Sequence, residues 1–134
     1  MAGNTKIEAL KTIFTICVLR WGRDQDKRFG VAALVTYHVL MGPLKREALT
    51  ETRQTLQGFK KVMVDQKADA GDIEAVKKNV MVFSQANALL DGLESRRDGM
   101  FASFKSKKEL GAIAPELLEG IEKYDVDLIN NFAR

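Results

Sequence analysis

Apolar residues recur at three- and four-residue intervals along most of the chain, which is the spacing of one face of an α-helix. The first stretch with this spacing contains Ile7, Leu10, Phe14, Cys17 and Trp21. It predicts a helix over residues 6–21, capped at its start by Asn4 or by Thr5. Gly22 is expected to end this helix, because glycine accepts the left-handed backbone conformation that closes helices.

The second apolar stretch is rich in β-branched side chains, so a strand over residues 31–39 competes with a helix. Apolar and polar residues do not alternate there, and no second strand candidate accompanies it. A lone strand would leave its backbone donors and acceptors open. We therefore favour a second helix from about residue 26 or 27 to residue 41, ended by Gly42 and Pro43.

Two further helices follow from the spacing. The third is predicted from Pro43 to about Lys67, and its narrow apolar stripe places it at the edge of the bundle. Asp72 is expected to cap the fourth helix, whose apolar face contains Ile73, Val76, Val80, Phe83 and Leu90. Asn87 falls within this face, and we interpret it as a register-setting residue hydrogen-bonded to a neighbour.

The last third of the chain is predicted to be helical but interrupted. The fourth helix frays over residues 92–99, a short helical segment covers residues 100–106, and residues 105–108 form a basic loop. A final helix is expected over residues 115–132, with Glu116 and Glu119 near its positive end. Residues 1–134 are therefore predicted to form one all-α domain, a bundle of about five amphipathic helices.

The composition of these 134 residues, 46% hydrophobic and 29% charged, is typical of a globular domain. A single cysteine, Cys17, excludes an internal disulfide. The longest apolar runs, residues 13–19 and 31–41, are shorter than the roughly 20 residues that span a bilayer. No small-residue cleavage site follows the first run, so we expect neither a signal peptide nor a membrane span, and a cytoplasmic protein.

Candidate catalytic and metal-binding residues are sparse. His38 is the only histidine, and a Cys17–His38 pair is the single conceivable nucleophile and base. One histidine and one cysteine cannot supply a usual zinc site. Residues 24–35 resemble the start of a calcium loop but lack its glycine and glutamate positions, and no phosphate-binding glycine motif is present. We predict a protein without enzymatic activity, metal or cofactor.

The charge is distributed unevenly. Residues 1–108 carry 19 Lys and Arg against 12 Asp and Glu, whereas residues 109–134 carry 2 against 6. Basic residues spaced by seven or eight on the third helix, with others near the first turn, could follow a phosphate backbone. These nine candidates are Arg20, Arg23, Lys27, Arg28, Lys45, Arg46, Arg53, Lys60 and Lys61. Interleaved carboxylates such as Glu47 and Glu51 are equally typical of an ordinary solvated surface.

Two functions remain as hypotheses. The first is an oligomeric helical module that binds RNA or DNA through a basic face, as in accessory proteins of viruses, phages or plasmids. The second is a protein-interaction or assembly module, such as an adaptor, chaperone or capsid-type subunit, without a nucleic-acid role. The first two helices are apolar almost all round, and this surplus surface favours a homo-oligomer or a helical protein partner.

Overall fold

The computed structural model describes the backbone of residues 2–95 and 100–134 and the side chains of residues 5–95 and 105–134. These residues form seven α-helices and no strand, so the prediction of an all-α chain is confirmed and the strand alternative for residues 31–39 is wrong. The helices are α1 (Ala2–Asp24), α2 (Lys27–Val39), α3 (Pro43–Asp69), α4 (Ile73–Ser95), α5 (Met100–Ile113), α6 (Pro115–Glu122) and α7 (Val126–Phe132).

Two aspartates cap helix starts, and for Asp72 this confirms the prediction. The carboxylate of Asp26 accepts a hydrogen bond from the Arg28 backbone N–H at 3.0 Å and caps α2. That of Asp72 accepts from the Ala75 N–H at 3.1 Å, just before α4. Each carboxylate satisfies one of the backbone donors left free at a helix start, which a short acceptor side chain does well.

The predicted end of α1 at Gly22 is wrong. Gly22 lies inside the helix and is buried, and α1 continues to Asp24. The turn comes at Gln25, whose φ of 53° is left-handed. Glycine is required at position 22 for space, because an added Cβ would lie 2.5 Å from the Val82 carbonyl oxygen on α4.

The C-terminal third holds more helix and more breaks than predicted, which explains seven helices in place of about five. Residues 105–108 belong to α5 and do not form a loop, and Leu110 later in that helix is fully buried. The predicted final helix divides at Tyr124, where φ is 55°. Asp125 then caps α7 by accepting a hydrogen bond from the Leu128 N–H at 3.0 Å. The part of the predicted fray over residues 96–99, including Arg96 and Arg97, lies outside the described residues.

The buried apolar side chains form one cluster, in which α1 and α2 are central. In α1 the fully buried apolar side chains are Ile13, Phe14, Cys17 and Val18, and in α2 they are Ala32, Ala33 and Val35. The Phe14 and Tyr37 rings stack with centroids 6.1 Å apart. Burial of this kind provides the main free energy of folding. It also covers the apolar surface of α1 and α2, since neither helix contains, among its described side chains, any of the exposed large apolar residues.

Polar contacts attach α3 to its neighbours. The hydroxyl groups of Thr15 on α1 and Thr52 on α3 lie 2.8 Å apart. The Asn87 amide on α4 donates to the Phe83 carbonyl at 2.9 Å and accepts from Arg53 at 3.4 Å. The interpretation of Asn87 as a hydrogen-bonded residue in the helix seam is thereby confirmed.

The far halves of α3 and α4 extend beyond the rest of the bundle. No residue between positions 57 and 82 is buried, whereas both helices carry buried side chains closer to the bundle. We call residues 57–82 the projecting hairpin. Among the helices that the structure describes, none has the length and apolar character needed to cross a membrane.

Candidate interaction groove and acidic face

A groove of about 630 Å³ runs beside the projecting hairpin, between α1, α3 and α4. Its apolar floor consists of Ile16, Leu19, Phe59, Met63, Val82 and Phe83. Its rim carries Arg20, Arg23, Asp24 and Lys78, and Asn130 of α7 closes one side. We call it the hairpin groove. It arises because α1 ends at Asp24 while α3 and α4 continue.

Large apolar side chains are left in contact with solvent on the hairpin. Phe59 is 49% exposed and Met63 is 43% exposed, and both line the groove. Six of the eight exposed large apolar residues that the structure describes lie within residues 57–82: Phe59, Val62, Met63, Ile73, Val80 and Met81. A concentration of this kind on one element is typical of an interaction surface.

Two of these residues correct the prediction for α4. Ile73 and Val80 have the spacing of core residues, yet they are 68% and 39% exposed. Phe83 and Leu90, on the same apolar stripe, are buried against the bundle. The difference arises because the stripe continues past the point where α1 can cover it.

The groove rim is positively charged overall, since three cations there face a single carboxylate. Arg23 donates two hydrogen bonds to Asp24, at 2.8 and 2.7 Å. These hydrogen bonds hold the pKa of Asp24 below its ordinary value, so its carboxylate stays ionised and paired with Arg23. Arg20 and Lys78 supply the remaining positive charge of the rim.

Five of the nine candidate nucleic-acid residues make electrostatic contacts within the chain. Four of them form ion pairs within the chain: Arg23 with Asp24, Lys27 with Glu109, Arg28 with Asp26, and Arg53 with Asp91 and Glu94. Lys45 lies over the Tyr37 ring, 5.1 Å from its centroid. Arg20 is in the groove rim, and Arg46, Lys60 and Lys61 are exposed on α3.

The expected basic row on α3 is interrupted at Arg53. Its Nη2 atom lies 2.6 Å from Asp91 Oδ1 and 3.0 Å from Glu94 Oε2, both on α4. The guanidinium group is therefore turned towards α4, where it links the two helices. Arg53 consequently does not lie on the free polar side of α3 beside Lys60, contrary to the expected alignment.

An acidic surface lies on the last two helices. Glu116, Asp125 and Asp127 surround Leu128, Asn131 and Phe132 in a shallow depression. We call it the acidic face. Asn130 lines the hairpin groove, and Asp127 and Asn131 on the same short helix line the acidic face. The two surfaces of opposite charge are therefore neighbours around α7.

No protein-family model, curated protein or solved structure matches this chain. The prediction from sequence does not include the hairpin groove. Its signal was present in Phe59, Val62 and Met63, three apolar residues close together on a helix that is otherwise mostly polar.

The conceivable cysteine nucleophile is poorly placed for chemistry. Cys17 is completely buried, and burial raises the pKa of its thiol to about 12, so the reactive thiolate is not formed at neutral pH. His38 is also buried, with its ring 6.1 Å from the Tyr37 ring. No group of three or more metal-ligating side chains occurs among the described residues. That the protein is not an enzyme stays a prediction.

Proposed function

We propose that this chain is a helical assembly module that associates with a second copy of itself through the hairpin groove and the acidic face. The observation that carries the proposal is the exposed apolar surface of the projecting hairpin, with Phe59 and Met63 about half exposed at the groove. Burying such side chains on association contributes on the order of 25 cal/mol per Å² of apolar surface removed from water.

Charge complementarity favours a second copy as the occupant. The groove rim offers Arg20 and Lys78, and the acidic face of the same chain offers Glu116, Asp125 and Asp127. Opposite charges on two surfaces direct their encounter and fix their register. The apolar groups Leu128 and Phe132 within the acidic face would contact the apolar floor of the groove.

The neighbouring positions of the two surfaces favour a two-fold dimer. In such a dimer, the groove of one copy faces the acidic face of its partner, and the reverse contact occurs at the same time. Both surfaces must then lie side by side on one copy, and the side chains of α7 line both of them. The contact closes on itself, so a discrete dimer is expected and not a filament.

Sedimentation equilibrium of the intact chain tests the proposal. We expect a dimer at micromolar concentration in about 50 mM salt and weaker association at about 500 mM, because salt screens the facing charges. A monomer mass at every concentration and at both salt levels would show that the proposal is wrong.

Charge reversal tests which surfaces are in contact. Arg20→Glu with Lys78→Glu, and separately Asp127→Lys with Glu116→Lys, should each abolish the dimer by placing like charges together. An equimolar mixture of the two variants should restore it, since every contact then joins opposite charges. Lys67→Glu is the matched control, because Lys67 lies on the hairpin outside the groove and its reversal should leave the dimer intact. A mixture that stays monomeric would contradict the pairing.

Nucleic-acid binding is a second candidate function, favoured by the exposed positions of Arg46, Lys60 and Lys61 on α3. A labelled oligonucleotide should then bind in about 50 mM salt, with an affinity that falls steeply as salt rises. Replacing Lys60 and Lys61 by Ala should weaken binding, whereas Lys123→Ala, at the end of α6, should not. Absence of binding in about 50 mM salt would remove this candidate.

A further inference from the structure

A second cavity, independent of the groove, lies where α1 ends against α2, α4 and α5. Its volume is about 550 Å³, within the range of sites for small molecules. The apolar wall consists of Trp21, Val31, Leu34, Leu89 and Leu93. We call it the Trp21 cavity, after the only tryptophan of the chain.

The indole of Trp21 is held in place by the backbone of α2. A Cβ atom added at Gly30 would lie 3.0 and 3.2 Å from two carbon atoms of the Trp21 ring. The ring therefore packs directly against a glycine, which leaves it as one flat wall of the cavity. A flat aromatic wall favours ligands that stack or lie against it.

The charges of the cavity balance each other. Lys27 Nζ and Glu109 Oε1 lie 3.0 Å apart, and both side chains line the cavity. Gln25 and Gln85 add uncharged amide groups to the lining. A charged ligand would lose hydration here without gaining an unpaired counter-charge, whereas a neutral ligand with one hydrogen-bonding group would not.

We propose that the Trp21 cavity binds a neutral, mainly apolar small molecule of the size of a substituted bicyclic aromatic. The apolar wall would take up the ring system, and an amide of Gln25 or Gln85 would bond its polar group. Ligand binding in the Trp21 cavity does not require self-association, because none of the residues that line the cavity belongs to the hairpin groove or the acidic face.

Two fluorescent probes that share a ring skeleton test this inference. N-phenyl-1-naphthylamine is neutral, and 1-anilinonaphthalene-8-sulfonate adds one negative charge. The neutral probe should bind saturably, quench Trp21 by energy transfer, and bind at least about tenfold more tightly than the sulfonate at this site. Equal affinity of the two probes, or binding without energy transfer from Trp21, would overturn the proposal.

A pair of glycine substitutions shows whether the probe occupies this cavity. Gly92 lines the cavity on an exposed part of α4, and an added Cβ meets nothing within 4 Å. Gly92→Leu should therefore fold, gain helix propensity, and weaken neutral-probe binding at least about tenfold by occupying the space. Gly58→Leu is the matched control, since Gly58 is equally unobstructed but lies on α3, outside the cavity.

The expected pattern is loss of binding in Gly92→Leu and unchanged binding in Gly58→Leu. Ala88→Leu, from the same exposed side of α4, is a second filling variant and should behave like Gly92→Leu. Circular dichroism of each variant confirms that its helices are intact. If either filling variant folds correctly and still binds the neutral probe as tightly as the unsubstituted chain, the probe does not occupy the Trp21 cavity.

Discussion

Gly22 of α1 lies so close to Val82 of α4 that a Cβ atom on the glycine would be 2.5 Å from the Val82 carbonyl oxygen and 2.9 Å from the Cβ of Ala86. The two helices therefore meet backbone to backbone at this point. The close approach places the end of α1 against the middle of α4. Beyond it α4 continues uncovered, and the hairpin groove opens there.

Gly22→Ala should destabilise the chain although alanine is the better helix former. The gain in helix propensity is about 1 kcal/mol, whereas overpacking against a backbone atom costs about 1–3 kcal/mol. Urea denaturation followed by circular dichroism measures the balance. Gly58→Ala, in open space on α3, is the control and should raise the midpoint. A higher midpoint for Gly22→Ala would show that the helices separate at little cost.

The hydroxyl pair of Thr15 and Thr52 should contribute to stability as a unit. Thr52 is buried, and its hydroxyl oxygen lies 2.8 Å from that of Thr15. Thr52→Val keeps the shape but removes the hydrogen bond, and should cost about 0.5–1.5 kcal/mol. Thr15→Val should lower the free energy of unfolding less in the Thr52→Val background than in the unsubstituted chain. A double-mutant cycle of unfolding free energies checks the coupling, and strict additivity would exclude it.

Lys11 should make the stability of the chain fall at alkaline pH. Its side chain is only 8% exposed, with Nζ at 3.1 Å from Glu47 and 3.5 Å from both Glu8 and Glu51. Burial acts to lower the pKa of this ammonium group, but the three carboxylates outweigh burial, and the net pKa lies above the ordinary value of 10.5.

The sign of this effect follows from linkage. A pKa that is higher in the folded state means that the stabilising contribution is complete below pH 10.5 and is lost as the pH rises through the folded value. Denaturation midpoints measured across this range should fall for the unsubstituted chain. Lys11→Met should be less stable at neutral pH, by only about 1–2 kcal/mol because solvent screens the carboxylates, whose side chains are 48–69% exposed. Its stability should not show the additional fall at alkaline pH. The same alkaline slope in both proteins would contradict the assignment.

Cys17 should be unreactive in the folded chain. It is fully buried, and burial raises its thiol pKa to about 12, so neither access nor thiolate is available at neutral pH. A thiol reagent should label it fully in denaturing urea and only at the rate of opening in native buffer. Fast labelling of the native protein would show that the α1 core opens readily and that a cysteine-based activity must be reconsidered.

Much of the local structure could be predicted because it depends on neighbours in sequence. The spacing of apolar residues located the central helix α1, and the absence of alternation favoured a helix over a strand for α2. The short acceptor side chain of Asp72 marked the start of α4. These are effects within one or two helical turns. The same reasoning did not find the break in the final helix, because the left-handed conformation at Tyr124 has no glycine to signal it.

The candidate surfaces could not be predicted, because they depend on which helix covers which face. The sequence by itself determined that the chain is helical, with apolar stripes that must be buried where a neighbour is available. Only the tertiary structure decided that Phe83 is covered while Val80, three residues away, is not, and that Arg53 turns towards α4 while Lys60 faces water. The physical reason is that periodicity shows only whether a helix face is apolar. Whether that face is buried depends on the lengths of the neighbouring helices and on how closely residues such as Gly22 allow two backbones to approach.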